Sequence, residues 1–190
     1  MNLTRIIRWN WLGLLCLWLT VGLAVGEDKS VGVSEYQVKA AFVFNFVKFT
    51  DWPASTFTNA KAPIVIGVVG ENPFGHTLDD LVKGELVCGH PLVVKRFQTG
   101  EAFSACHVLF VSRPAKESLP ALLAALRNKP VLTVSELDRF CEQGGMINLV
   151  LAGSGTVQPE INAAAARLAG VQISSKLLNL PTVRLVQTEP

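Results

Sequence analysis

The chain has 190 residues, 49% of them hydrophobic and 17% charged, which suits one folded core and excludes a disordered chain. Its 17 basic residues outnumber the 15 acidic ones only through Arg5 and Arg8, so beyond residue 26 the net charge is zero. With no Lys/Arg block either, this composition excludes nucleic acid as a partner.

Arg5 and Arg8 precede residues 11–25 (WLGLLCLWLTVGLAV), an apolar run without a charge, and Ala24 and Gly26 place small residues before Glu27. That layout predicts a secretory signal peptide over residues 1–26, cleaved after Gly26 or Ala24. The run is too short to span a bilayer, which takes about 20 apolar residues. Leu15, not a small residue, precedes Cys16, which argues against lipidation. The remaining protein is expected to be exported, and periplasmic in a Gram-negative host. Residues 27–33 are expected to form a flexible N-terminus and residues 34–190 a single α/β domain.

Ser34 is placed to cap a helix over 35–51, in which Val38, Ala41, Phe42, Phe46 and Phe49 recur near helical spacing. Val43, Phe44 and Val47 make the other side apolar too. Such a helix is expected between layers or in a two-fold dimer contact, a role open also to the helix at 173–180. Trp52-Pro53 is expected to end it. Strands are predicted at 64–69, 91–97, 107–111, 131–134 and 146–151, with a last one at 182–186. Helices are predicted at 74–83, 119–127, 136–142, 162–169 and 173–180, with Gly170 as the left-handed stop of the fourth. Short apolar strands separated by helices predict a three-layer α/β domain, a mostly parallel sheet of five or six strands with helices on both faces. The expected order of the first five strands is 2-1-3-4-5, which right-handed crossovers permit.

In such a sheet, ligands gather beyond the carboxyl ends of the strands. Gly70, Asn72 and Phe74 follow the first strand, and Ser112 and Arg113 follow the third; these five are the candidate ligand-binding residues. Arg113 offers a planar fork to a carboxylate or phosphate. A plain turn explains Asn72, Pro73 and Gly75 more simply, and a solvated loop explains Arg113. Neither G-x-G-x-x-G nor G-x-x-x-x-G-K-[ST] occurs, so no nucleotide cofactor is expected. Residues 152–156 (AGSGT) lack G-x-S-x-G and read as a turn. His76, His90 and His107 have no metal spacing, and Asp79-Asp80 reads as a solvated helix face. The aromatics Tyr36, Phe42, Phe44, Phe46, Phe49 and Trp52 read as core or interface packing. No catalytic residue, metal or cofactor is expected.

With Cys16 in the signal segment, an odd set remains: Cys88, Cys106 and Cys141. They are either small buried hydrophobes or one disulfide and a free thiol, which an oxidising compartment permits. Cys88–Cys106 is the candidate bond, since both precede strands at one end of the sheet. The order 2-1-3 puts a strand between them, roughly 9–10 Å, against the about 7 Å that a disulfide tolerates. Slack before His90 would have to close that gap.

Residues 35–53 (EYQVKAAFVFNFVKFTDWP), 70–75 (GENPFG), 106–111 (CHVLFV), 130–135 (PVLTVS), 144–148 (GGMIN) and 173–178 (ISSKLL), taken in order, resemble the YfiR family of exported bacterial proteins. The resemblance covers nearly all of residues 35–180. It implies a compact α/β domain without catalytic chemistry and a regulatory role. The best-known member represses an inner-membrane diguanylate cyclase by binding its periplasmic sensor region, and an OmpA-like outer-membrane lipoprotein relieves the repression. The family also tends to form dimers. Cys106 and Cys141 match cysteines that members use in disulfides, whose partners align near Ile66 or Gly67 and near Asn148; neither partner is cysteine here. Cys88 has no counterpart.

The expected function is therefore repression of an inner-membrane signalling protein, a diguanylate cyclase or sensor kinase, by a periplasmic homodimer. Two other classes stand beside it. One is a periplasmic small-ligand-binding sensor using the crevice at 70–75 and 112–113. The other is a hydrolase with an unrecognised catalytic set.

Overall fold

The computed structural model describes residues 34–98, 101, 103, 105–153 and 155–187. The expected signal peptide at 1–26 and the stretch 27–33 lie outside the described residues, as does Ser154 of the 152–156 turn.

Helix α1 (Glu35–Lys48) starts at the expected cap. Ser34 Oγ accepts from the Gln37 N–H at 3.3 Å, and the Gln37 side-chain oxygen accepts from the Ser34 N–H at 2.8 Å, a reciprocal capping box. The helix stops at Lys48 instead of running to Asp51. Thr50–Asp51 forms a short strand, β1, paired antiparallel with Gln172–Ile173, and the Phe49 carbonyl accepts from the Ser174 N–H at 2.8 Å. Those partners satisfy the backbone outside the helix, so it ends before Trp52-Pro53 is reached.

Along the chain follow β2 (Ile64–Val69), α2 (Thr77–Val82), β3 (Leu86–Val87), β4 (His90–Phe97), β5 (Val108–Val111) and α3 (Leu119–Leu126). Then come β6 (Leu132–Ser135), β7 (Ile147–Leu151), β8 (Val157–Ile161), α4 (Ala163–Leu168), β9 (Gln172–Ile173), α5 (Ser175–Leu178) and β10 (Arg184–Leu185). The main sheet runs β10-β8-β7-β6-β5-β2-β4-β3, eight strands where five or six were expected. Its middle, β4-β2-β5-β6-β7, is parallel throughout and has the 2-1-3-4-5 order. The additions lie towards the edges: β3 pairs antiparallel with β4, β8 antiparallel with β7, and β10 parallel with β8. The 152–156 turn joins β7 to β8, closed by Ala152 N–H donating to Thr156 O at 2.9 Å.

Strand β2 is buried along its whole length and sorts its side chains into two cores. Ile64, Ile66 and Val68 join Val108, Phe110, Leu132 and Val134, together with buried residues of α1, α2 and α4. Val65 and Val69 join Leu109, Val111 and the α3 residues Leu119, Leu122 and Leu126. The two-residue period of a strand does this sorting, and it yields three layers with helices on both faces. On α1, Val38, Phe42 and Phe44, and Phe49 just after it, are only half-buried at the margin of the first core.

Residues 136–142 form turns, not the expected helix. Ser135 Oγ accepts from the Leu137 N–H at 3.2 Å, Arg139 stands at φ 57°, and Phe140 folds inward. A Cβ on Gly145 would lie 2.2 Å from the Phe140 ring, so that ring packs where only glycine leaves room. Helix α2 begins late, at Thr77, because Asn72 closes a turn ahead of it. Helix α5 begins late because Ile173 belongs to β9. Among the described residues no helix is long and apolar enough to cross a membrane.

Candidate functional site

From β2 the chain crosses over to β4 on one side, then to β5 on the other, so the strand order reverses between β2 and β5. The loops leaving a sheet at such a point part and open a crevice. Here three loop starts meet: Gly70 after β2, Ser112-Arg113 after β5, and Glu136 after β6. The first turns of α1 close over Glu136. The Lys39 ammonium, 1% exposed, pairs with the Glu136 carboxylate, 2% exposed, and with Glu35 one turn earlier. The Tyr36 hydroxyl donates to Glu136 Oε1 at 3.2 Å, and Arg113 Nε lies 3.3 Å from the same oxygen. Lys39 Nζ also stands 5.0 Å from the centre of the Tyr36 ring.

Two cations and two carboxylates thus balance, with Lys39 and Glu136 shut away from water and Glu35 and Arg113 reaching it. A buried charge is tolerated only when paired and hydrogen-bonded, and each member here meets that condition through the others. Burial first, and then the facing Glu136 carboxylate, push the Tyr36 phenol above its ordinary pKa, so it stays a hydrogen-bond donor. Below it the Tyr36 ring meets Phe74 edge-on at 6.3 Å, and Phe74 meets Phe110 of the core at 4.7 Å. The cluster therefore ties the start of α1 to the ends of β5 and β6.

Of the five residues expected at this crevice, Arg113 is the one that joins the cluster directly. Gly70 and Ser112 stand against each other: at φ +88°, a Cβ on Gly70 would lie 2.5 Å from Ser112 Oγ, which donates to the Val69 carbonyl at 2.9 Å. Asn72 folds its own loop, accepting from the Phe74 N–H at 3.2 Å and donating to the Gly75 carbonyl at 2.8 Å. Phe74 is buried in the first core. Glu35, Tyr36, Lys39 and Glu136 were not expected here. The available signals were a lysine inside an apolar helix and a glutamate directly after an apolar strand. Asp79 and Asp80 lie on the solvated helix face expected of them, the Asp79 side chain 37% exposed. Arg96 of β4 binds it through two nitrogens and holds its carboxyl below the usual range.

The expected Cys88–Cys106 bond is absent; all three described cysteines are free. Cys88 is exposed, at φ 51° in the turn from β3 to β4, whereas Cys106 is buried before β5, with β2 lying between those strands. Burial pushes the Cys106 thiol up to about 11 and the Cys141 thiol up to about 12. Cys106 Sγ lies 2.8 Å from where a Gly67 side chain would begin, one of the two positions near which the resemblance places a partner cysteine. Among the described residues no three His, Cys, Asp or Glu side chains are grouped to hold a metal ion.

A family model described as YfiR/HmsC-like matches residues 36–182, which takes in every strand and helix of the domain except β10 and the first residue of α1. No curated protein matches the chain.

Proposed function

The chain belongs to the YfiR/HmsC-like family, and from that premise we propose that it is an exported, non-catalytic repressor. Its target is the periplasmic region of an inner-membrane signalling protein of the diguanylate cyclase or sensor-kinase type. An OmpA-like outer-membrane lipoprotein relieves the repression, and the repressor acts as a homodimer. The observation that carries this reading is the ion-pair cluster at the strand ends. Where an open α/β sheet ordinarily receives a small ligand, α1 places Lys39 against Glu136, and the protein meets its partner on the outside instead.

Binding rests on a few apolar anchors, because a net charge of zero beyond residue 26 provides little long-range steering. Leu86, Leu168 and Leu185 each stand more than half exposed and are suited to that role. Deleting the gene raises cellular cyclic-di-GMP and biofilm formation, and a form denied export does not restore repression. Affinity for the periplasmic target falls little between low and physiological salt. If deletion leaves cyclic-di-GMP unchanged and the purified protein binds no membrane protein encoded beside it, the protein is not such a repressor.

A further inference from the structure

Between β1 and β2 the chain runs from Trp52 to Ala62 with no regular structure but one 3-10 turn at Ala54–Thr56. Residues 53–55 and 58–61 of this segment are exposed. Among the described residues two hydrogen bonds tie it to the sheet, and both end on histidines. Trp52 Nε1 donates to the His107 carbonyl at 3.1 Å, and His90 Nδ1 donates to the Ala62 carbonyl at 2.7 Å. Between those ties the Phe57 ring stacks on both imidazoles, 4.7 Å from His107 and 4.1 Å from His90. Two rings cannot share one face at such distances, so Phe57 is held between them.

The two histidines differ in where a second proton could go. A carbonyl only accepts, so His90 carries its proton on Nδ1 and leaves Nε2 to take another without breaking the tie. His107 is built the other way. It is 6% exposed, and its Nδ1 accepts from the Val65 N–H at 3.1 Å, which puts the proton of the neutral ring on Nε2. Nε2 is itself buried and without a partner. A second proton would have to sit on Nδ1, facing the Val65 N–H. The stacked Phe57 and the Trp52 edge, at 5.8 Å, keep the ring from turning away. Nor does a counter-charge stand ready for an imidazolium. Among the described residues the charged groups about His107 are His90 of β4 and, ahead of β6, Lys129, which shares with it the lining of a cavity of about 290 Å³ against Ser55 and Thr56. Asp51 and Lys61, at the two ends of the segment, are exposed.

We propose that the segment Trp52–Ala62 is an acid-released latch, held shut by neutral His107 and opened when that ring takes its second proton. Opening uncovers Trp52, Phe57 and the starts of β2 and β5, so this end of the sheet presents in acid an apolar surface that it covers at neutral pH. In the open segment His107 has the ordinary proton affinity of the side chain, with a pKa of about 6.5. Above that pH the latch stays shut, and below it the ratio of open to closed rises about tenfold per pH unit. The device does not depend on the repressor function.

Trp9, Trp11 and Trp18 lie within residues 1–26, so the exported chain has Trp52 as its one tryptophan. Its emission is followed from about pH 7.5 to 4.5 beside far-ultraviolet circular dichroism. A shift to longer wavelength with stronger quenching by acrylamide is expected, half complete between about pH 6.5 and 4.5, while the dichroism stays level. His107→Asn keeps an acceptor for the Val65 N–H and cannot take a second proton, so its emission should not respond to pH. His90→Asn keeps a donor for the Ala62 carbonyl and should retain the transition. If His107→Asn fails to fold, the wild-type comparison of emission with dichroism and the His90→Asn transition still decide. Trp52 emission unchanged down to about pH 4.5, dichroism lost in step with emission, a transition that survives in His107→Asn, or one abolished in His90→Asn would each overturn the proposal.

Discussion

Separating Lys39 from Glu136 tests the cluster most directly. Lys39→Met removes an ammonium that is 1% exposed and leaves the buried Glu136 with only the Tyr36 hydroxyl and the largely exposed Arg113. Stripping one partner from a buried pair costs about 3–5 kcal/mol. Because those two contacts survive, the lower end applies, about 3 kcal/mol. Glu136→Leu leaves Lys39 with Glu35, itself about a third exposed, and should cost a similar about 3 kcal/mol. In the double variant no lone charge stays buried, since Arg113 and Glu35 both reach water. The double variant is therefore expected to cost no more than about 3 kcal/mol instead of the additive 6, a coupling of at least about 3 kcal/mol. Urea unfolding followed by far-ultraviolet circular dichroism reads this out. With a slope of about 2 kcal/mol per molar, each single variant lowers the midpoint by about 1.5 M, and the double variant by no more than that. Additive losses, or a Lys39→Met midpoint within about 0.2 M of wild type, would show that the two charges are not a buried pair.

Burial, and then the neighbouring His90, lower the His107 pKa, so the unfolded chain binds more protons there than the folded one below about pH 6.5. Stability is thus full above that pH and declines on acidification, by at most about 1.4 kcal/mol per pH unit from this group; urea midpoints should fall from pH 7.5 to 5.5, and less steeply in His107→Asn. In the native protein Ellman's reagent should titrate Cys88 alone, with Cys106 and Cys141 reacting only on denaturation; three fast thiols would contradict their burial. Gly67→Cys should oxidise with Cys106, detected as a loss of two mass units, because the new Cβ begins beside Sγ. Loop closure contributes about 4 kcal/mol in its favour, offset by about 1–3 kcal/mol of crowding from Leu109 and Phe97. Gly70→Ala should cost about 2–3 kcal/mol from the positive φ and the clash with Ser112 Oγ, and Ser112→Ala in the same chain should recover part of it; a neutral Gly70→Ala would refute the close approach.

The cap at Ser34, the five parallel strands and their order were all legible in the sequence. Each rests on short-range chemistry: a hydroxyl three residues before its amide, apolar runs cut by glycine and proline, and connections long enough to cross over between parallel strands. Strand β8 was missed for an equally local reason. Val157, Pro159 and Ile161 are buried in alternation, a strand pattern, but proline argues against a strand. It is tolerated because β10 pairs only with Glu160 and Ile161, so β8 is an edge at Pro159.

The lower reaches of the fold were decided by tertiary contacts. Residues 49–51 leave the helix because β9 competes for their backbone, and residues 136–142 abandon a helical pattern to turn Phe140 inward and deliver Glu136 to Lys39. What the sequence by itself determined is what periodicity and capping encode within a few residues: layer class and strand order. What only the tertiary structure decided is the crevice. Lys39 and Glu136 stand 97 residues apart, and neither charge has a reason to be buried until the crossovers bring the other beside it, since an ion leaves water only when its partner is already in place.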